Sequence, residues 1–291
     1  MKPAPFQYHR AETLSEATSM LATLENARLL SGGQSLMSMM NLRYVTADHL
    51  IDLNRVQELA GIALDETHLR VRGMSRQRSL LEHQPLLARA PIFREALEFV
   101  GHIQTRNRGT VGGSLAHMDP AAELMGLAAL MGAEITMTSE GAQRQVAIAD
   151  YPLGYMTPNI EPLEILTDVA FELWPEGHGW DFREFAQCHG DFAVVGVGTL
   201  IANDDSGMIE RAATVLIGVD DQPVRLRDVE DMLTGETPSE SLFRDAGALA
   251  SKHDMMGDAL VTSAYRKQIA GVLVRRSLTQ AVKRATEQKN V

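Results

Sequence analysis

The chain has 291 residues, 45% of them hydrophobic, enough to form cores for two or three small domains. Its net charge of −11 argues against a nucleic-acid protein, because phosphate backbones need a basic face. Its one cysteine, Cys188, excludes an internal disulfide, a CxxC zinc site or an iron–sulfur cluster within this chain. No apolar run approaches the roughly 18 residues of a membrane helix. The opening "MKPAPFQYHRAETL" has no apolar signal core, so a cytoplasmic location is expected.

In chain order, residues 6–9 read as a strand, followed by an amphipathic helix. Ala17, Met20, Leu21 and Leu24 have helical spacing there, and Thr13 or Ser15 is placed to cap it. "ARLLSGG" (27–33) reads as a buried strand running into a tight turn, and "SLMSMMNLR" (35–43) as a helix opening near Ser35. "HLIDL" (49–53) is a short strand, "LRVRGMSRQRSL" (69–80) begins as one, and "RAPIFREALEFVG" (89–101) is a helix. "PAAELMGLAALMGAEITMT" (120–138) is a helix ending near Gly132, then a strand. Strands follow at 164–174, 192–202 and 212–220, and the last third is helical at 228–235, 239–252 and 263–288. Short strands and helices are mixed without strict alternation, which predicts an α+β fold. "WPEGHG" (174–179) breaks both periodicities and is the best domain boundary.

Two glycine motifs stand out: "LLSGGQSLMSMM" (29–40) and "TRNRGTVGGSLAHMDP" (105–120). Glycine pairs permit positive φ and close backbone approach. Successive amides in such a turn can form an anion-binding nest, reinforced by a following helix N-terminus. In the first, Gly32 and Gly33 give the approach while Gln34 and Ser35 offer side-chain hydrogen bonds. In the second, Thr110, Gly112, Gly113 and Ser114 do the same, with a helix after Pro120. Two nests suit a pyrophosphate held from two sides; each turn alone is better explained as a tight strand–turn–helix junction, since glycine turns are common. No G-x-x-x-x-G-K-[ST] occurs, and Gly196 and Gly198 of "VVGVGTLIA" read as close strand packing, because Ile201 occupies the third glycine position.

The motifs, in their contexts "LLSGGQSLMSMMNLR" and "TRNRGTVGGSLAHMDPAAEL", are similar to the two flavin-binding signatures of the FAD-binding medium subunits of molybdenum hydroxylases, the xanthine dehydrogenase and carbon monoxide dehydrogenase family. "FQYHRAETLSEA" resembles the family's opening, "GDFAVVGVG" the start of its third domain, and "SAYRKQIAGVLVRRSL" its closing helix. The resemblance implies a PCMH-type FAD-binding module: subdomains 1–57 and 58–176, then a smaller C-terminal α+β domain over 177–291. It implies non-covalent FAD, with Ser31, Gly32, Gly33, Gln34, Ser35 and Leu36 on one side of the pyrophosphate. Thr110, Val111, Gly112, Gly113 and Ser114 would line the other side. Glu123 occupies the family's acidic FAD contact, Leu166 a strand near the adenine end, and Arg183 a basic position near the flavin. The implied function is electron transfer within a heterotrimer, itself expected to form a dimer. A large subunit would carry the molybdenum cofactor and oxidise the substrate, most consistently an N-heteroaromatic. A small subunit would carry two [2Fe–2S] clusters, and FAD would pass electrons to an external acceptor such as NAD⁺, quinone or O₂. The rival functions are a stand-alone flavin oxidoreductase of the same fold and a flavin-free assembly scaffold.

The chain departs from the family pattern in places. Ser31 stands where relatives often have alanine, and Gln187-Cys188-His189 precede "GDFA" where basic residues are common. Phe192 reads either as an apolar wall by the isoalloxazine or as a core aromatic. His102, His117 and Asp119 match no metal-ligand spacing. Arg108 is placed to pair with phosphate, while Arg106 and Asn107 equally suit bracing of the backbone.

Overall fold

A computed structural model of the chain describes residues 1–289. Strands β1 (Gln7–Arg10), β2 (Ala27–Leu30) and β3 (His49–Asp52) form a parallel sheet in the order β1-β3-β2. Helix α1 (Leu14–Thr23) crosses from β1 to β2 and α2 (Leu36–Asn41) follows β2. Thr13 caps α1 by accepting from the Glu16 amide at 3.1 Å, and Ala17 and Leu21 bury its inner face in one cluster with Ile51 and Leu53. β2 is less buried than expected, with only Ala27 shielded, because it is an edge strand.

The second unit begins with β4 (Ile62–Leu64) and β5 (His68–Arg72). Six short helices follow: α3 (Gln77–Glu82), α4 (Gln84–Arg89), α5 (Ile92–Phe99), α6 (Ile103–Arg108), α7 (Val111–His117) and α8 (Glu123–Leu130). Then come β6 (Glu134–Ser139), β7 (Ala142–Ala147), the hairpin β8 (Pro152–Gly154) and β9 (Thr157–Pro158), and β10 (Ile165–Glu172). The large antiparallel sheet runs β4-β5-β10-β6-β7. Period-two alternation sets its faces: Leu69 and Val71 enter the main core beside Val169 and Phe171, while Arg70 and Arg72 turn to the other face and flank Asp168.

The third unit is an antiparallel sheet, β11 (Gly179–Phe185), β12 (Val195–Asn203), β13 (Ile209–Ile217) and β14 (Val224–Arg225), with α9 (Arg227–Leu233), α10 (Glu240–Ala250) and α11 (Ser263–Lys289). α11 packs on β11 and β12, and α8 also packs against β12 and β13, so α8 ties the second sheet's core to the third. Close strand packing explains Gly196, where an added Cβ would lie 2.5 Å from Ile217. Arg225 locks the joint: its guanidinium pairs with Glu230 at 2.8 Å and donates to the carbonyls of Ala129 and Leu130 at the α8 C-terminus.

The sequence reading did not anticipate β7, β11 or the helical state of the second glycine motif. Glycine is a poor helix former, so "TVGGSLAH" reads as a turn. The structure makes it the start of α7, because the Thr110 side chain caps the helix and tertiary contacts offset the glycine cost.

Candidate functional site

A cleft of about 550 Å³ opens where the first two units meet, with one end covered by residues 190–192 from the β11–β12 connection. Its walls are the β2–α2 turn, the β5–α3 link at Gly73, Met74 and Gln77, the start of α7, the start of α8, and Ile165–Leu166. Residues 31–36 all line it, as do Thr110, Gly112, Gly113 and Ser114, together with Glu123 and Leu166. Two expected residues lie elsewhere. Val111 is fully buried in the main core. Arg183 is held on β11 by a two-pronged pair with Asp181, one contact at 2.9 Å, and does not reach the cleft wall. The causes differ: the Val111 side chain packs into the main core, while Arg183 pairs with the acid that its own strand offers.

The two glycine turns are built differently. Gly33 has φ +74°, which an L side chain adopts with strain, so here the turn itself requires glycine. Gly32 is required by proximity: a Cβ there would lie 2.4 Å from the Arg108 carbonyl oxygen and 2.9 Å from Gly109 Cα. The second pair lies in the first turn of α7 and is required only by proximity. A Cβ at Gly112 would meet the Gly73 carbonyl at 2.7 Å, and one at Gly113 the Thr110 hydroxyl at 2.7 Å. The turns therefore pack directly on one another, and the Ser31 and Thr110 hydroxyls share a 2.5 Å hydrogen bond.

Hydrogen-bond accounting separates the turns further. The first four amides of α7 are engaged within the chain: Val111 to the Ser75 carbonyl, Gly112 to the Gly73 carbonyl, Gly113 to the Thr110 hydroxyl and Ser114 to the Thr110 carbonyl, all at 2.8–3.1 Å. The second turn is thus no anion nest, contrary to the expectation from sequence. The amides of Gly32, Gly33, Gln34 and Ser35 have no partner within the chain among the described residues, and all four residues line the cleft. This turn is where a diphosphate would find donors. Apolar walls at Leu53, Met74, Ile165 and Leu166, hydroxyls at Ser31, Thr110 and Ser114, and a volume in the usual range for ligand pockets all fit a long dinucleotide. Replacing Thr110 with valine removes both the α7 cap and the link to Ser31; the expected loss is about 1–2 kcal/mol, read as a shift in the urea midpoint with an unchanged slope.

One end of the cleft is acidic. Burial pushes the Glu123 carboxyl up to about 7; the nearby Asp119 charge acts the same way, and the residue's own backbone amide and Arg106 oppose it. Glu184 on β11, which does not itself line the cleft, is pushed up to about 8 by burial and then by the Glu123 charge, and its Oε2 has no hydrogen-bond partner among the described residues. Burial lowers His117, favouring its neutral form. A carboxyl with a raised pKa binds its proton more tightly folded than unfolded. Its stability contribution is complete below the unfolded value of 4.5 and is lost as pH rises through about 7 for Glu123 and about 8 for Glu184. Glu184→Gln is therefore expected to flatten the fall in melting temperature between about pH 5 and 8; an unchanged slope would remove Glu184 from this account. Nothing in the sequence marked Glu184, a lone acid in a strand. Phe192 is 68% exposed and lines the cleft, so it is no core aromatic. Gly73, Met74, Gln77 and Asp191 also escaped the sequence reading, since only folding brings them to the cleft.

Comparison with known proteins agrees with this geometry. Residues 4–173 match the FAD binding domain in molybdopterin dehydrogenase, and residues 180–281 the CO dehydrogenase flavoprotein C-terminal domain. The chain is 31% identical to the 6-hydroxypseudooxynicotine dehydrogenase complex subunit alpha of Paenarthrobacter nicotinovorans, over 99% of this chain and 98% of that one. It is 32% identical to the carbon monoxide dehydrogenase medium chain of Afipia carboxidovorans, over 98% and 99%. Quinoline 2-oxidoreductase from Pseudomonas putida 86 contains a chain that superposes with a TM-score of 0.93 at 30% identity, over 98% of this chain and 99% of that one. With the family's FAD-binding domain, its C-terminal domain and a cleft suited to a dinucleotide between the glycine turns, this chain belongs to the FAD-binding medium subunits of the molybdenum hydroxylase family.

Proposed function

We propose that the chain is the electron-relay subunit of a molybdenum hydroxylase heterotrimer, which pairs into a dimer of heterotrimers in the cytoplasm. The observation that carries the relay reading is the row of four unpartnered amides, 32–35, on the wall of a cleft between two packed glycine turns. In this reading those amides hold the FAD diphosphate without covalent attachment, and the hydroxyls of Ser31, Thr110 and Ser114 flank it. Leu166 borders the adenine end, and the Glu123 carboxyl keeps its proton to about pH 7. The division is 1–57 and 58–176 around the cofactor, with 177–291 closing over one end. Bound FAD supplies the redox chemistry, accepting electrons that originate at the partners' molybdenum and [2Fe–2S] centres and releasing them to an external acceptor. The lone cysteine supports assigning the clusters to a partner. No helix among the described residues is long and apolar enough to cross a membrane, which is compatible with a cytoplasmic complex. The substrate we propose is an N-heteroaromatic, oxidised on the large subunit. The relatives named for 6-hydroxypseudooxynicotine, at 31% identity, and for quinoline, at 30%, support that class; the carbon monoxide dehydrogenase medium chain, at 32%, supplies the alternative that the test below separates.

The test is the visible spectrum of the chain purified alone and with its partner subunits. Bands at roughly 370 and 450 nm are expected of a bound oxidised flavin, released as FAD on heating. Bleaching under anaerobic conditions by a pyridine or quinoline, and not by carbon monoxide, would support the substrate class. A colourless protein that takes up no added FAD, even in the complex, would favour the scaffold.

A further inference from the structure

Building on the FAD reading, we propose that Arg76 is a positioning residue that fixes the separation of the two glycine turns. It does so through a hydrogen-bonded circuit running Ser31–Asn54–Arg76–Arg108. Arg76 lies between β5 and α3 and is not among the residues that line the cleft. Its backbone segment runs antiparallel to the second motif: Arg76 bridges Thr110, the Gln77 amide donates to the Gly109 carbonyl at 3.0 Å, and the Val111 amide donates to the Ser75 carbonyl at 3.0 Å. From this base the guanidinium divides. One nitrogen donates to the Arg108 carbonyl, the other to the Asn54 side-chain oxygen. Asn54 in turn donates to the Ser31 carbonyl at 3.0 Å, and its own amide is anchored on Asp52 at 2.8 Å.

The positions of the two carbonyls give the circuit its consequence. The Arg108 carbonyl is the group pressed against Gly32, at 2.4 Å from where a Cβ would stand. The Ser31 carbonyl belongs to the residue before that glycine, whose hydroxyl bonds Thr110. Arg76 thus holds both sides of the seam on which the unpartnered amides 32–35 sit. Only a rigid two-pronged donor spans these acceptors; an ammonium is a single point and reaches one of them. Without the guanidinium, the Arg108 carbonyl loses its partner at a contact with no slack, and an unmet acceptor favours a shifted loop. The charged neighbours are Arg108, which repels Arg76, and Asp52, which attracts it.

The test measures the FAD dissociation constant by equilibrium dialysis, with the visible circular dichroism of the bound flavin, on the full complex carrying Arg76→Ala, Arg76→Lys, Asn54→Ala or the Arg76→Ala/Asn54→Ala pair. Each single variant is expected to weaken FAD binding about tenfold and alter the flavin dichroism, with the double variant no worse than the weaker single one, because one circuit is broken only once. Lys283→Ala, which removes an exposed pair with Glu287 on α11, is the control and should bind FAD like wild type. A role confined to folding would lower the melting temperature and leave the dissociation constant and dichroism unmoved. Wild-type affinity in Arg76→Ala or Asn54→Ala overturns the proposal, as does full rescue by Arg76→Lys; the Lys and Asn54 variants decide it should Arg76→Ala fail to fold. A wild-type complex that binds no FAD would instead overturn the FAD reading, and the inference resting on it.

Discussion

Replacing Gly32 with alanine is expected to strip FAD from the protein while leaving it folded. The new methyl would lie 2.4 Å from the Arg108 carbonyl oxygen, 2.9 Å from Gly109 Cα and 3.0 Å from the Arg108 carbonyl carbon. All three are backbone atoms, so no rotamer change makes room and one turn must back away from the other. Overpacking of this kind costs about 1–3 kcal/mol. Here the strain falls on the seam proposed to contact the diphosphate, so most of it should appear as lost affinity, about 10- to 100-fold. Equilibrium dialysis and the 450 nm absorbance of the purified variant, a band at roughly that wavelength being expected of bound flavin, would read it out. Gly207→Ala is the comparison: its φ of +85° also disfavours a side chain, but no atom lies within 4 Å and it is far from the cleft, so FAD should be retained. Equal FAD content in both variants would mean that the turns do not act as a pair.

The largest loss of stability is expected at Gly179, the first residue of β11. A Cβ there would lie 1.7 Å from the Ala281 carbonyl oxygen and 2.7 Å from both the Ala281 carbonyl carbon and the Ala285 amide nitrogen. β11 and α11 approach this closely because Ala281 and Ala285 are small and fully buried. Alanine at 179 must push the helix off the sheet. That move strains the 2.6 Å pair of Arg284 with Glu95, the Arg284 bond to the Trp180 carbonyl at 2.7 Å, and the buried Ser277–Thr199 hydrogen bond at 2.8 Å. The expected cost is about 3–4 kcal/mol, above the usual overpacking range because backbone meets backbone. For a chain of this size that is a fall of roughly 6–15 °C in melting temperature. A calorimetric shift under about 2 °C would show that α11 slides without penalty.

The periodic signals were legible in the sequence. α1 forms where Ala17, Met20, Leu21 and Leu24 recur at helical spacing with Thr13 ahead of them, and β10, β12 and β13 form where apolar runs are bounded by turns. The two glycine motifs and their resemblance to a flavin-binding family also came from the linear chain, because a motif of adjacent residues survives in one dimension. β11 was missed because "GWDFREF" follows a Pro–Gly break and mixes charges into a short strand. α7 was missed because local propensity opposes a helix that tertiary contacts impose.

The division of labour between the two turns was not available to sequence. Both read as glycine pairs beside hydroxyls, yet one keeps its amides open and the other has used all of them on residues 73–75 and its own cap. The same limit applies to Arg183, which took Asp181, and to Glu184, which nothing marked until burial raised its pKa. The sequence by itself determined the α+β class, the family and the glycine segments that line the cleft, since these depend on short-range pattern. Only the tertiary structure decided which donors remain unpartnered, how closely the turns abut and which guanidinium holds them. Hydrogen-bond partners and contact distances are set by residues far apart in the chain, and an amide's availability is fixed only when every competing acceptor has found its place.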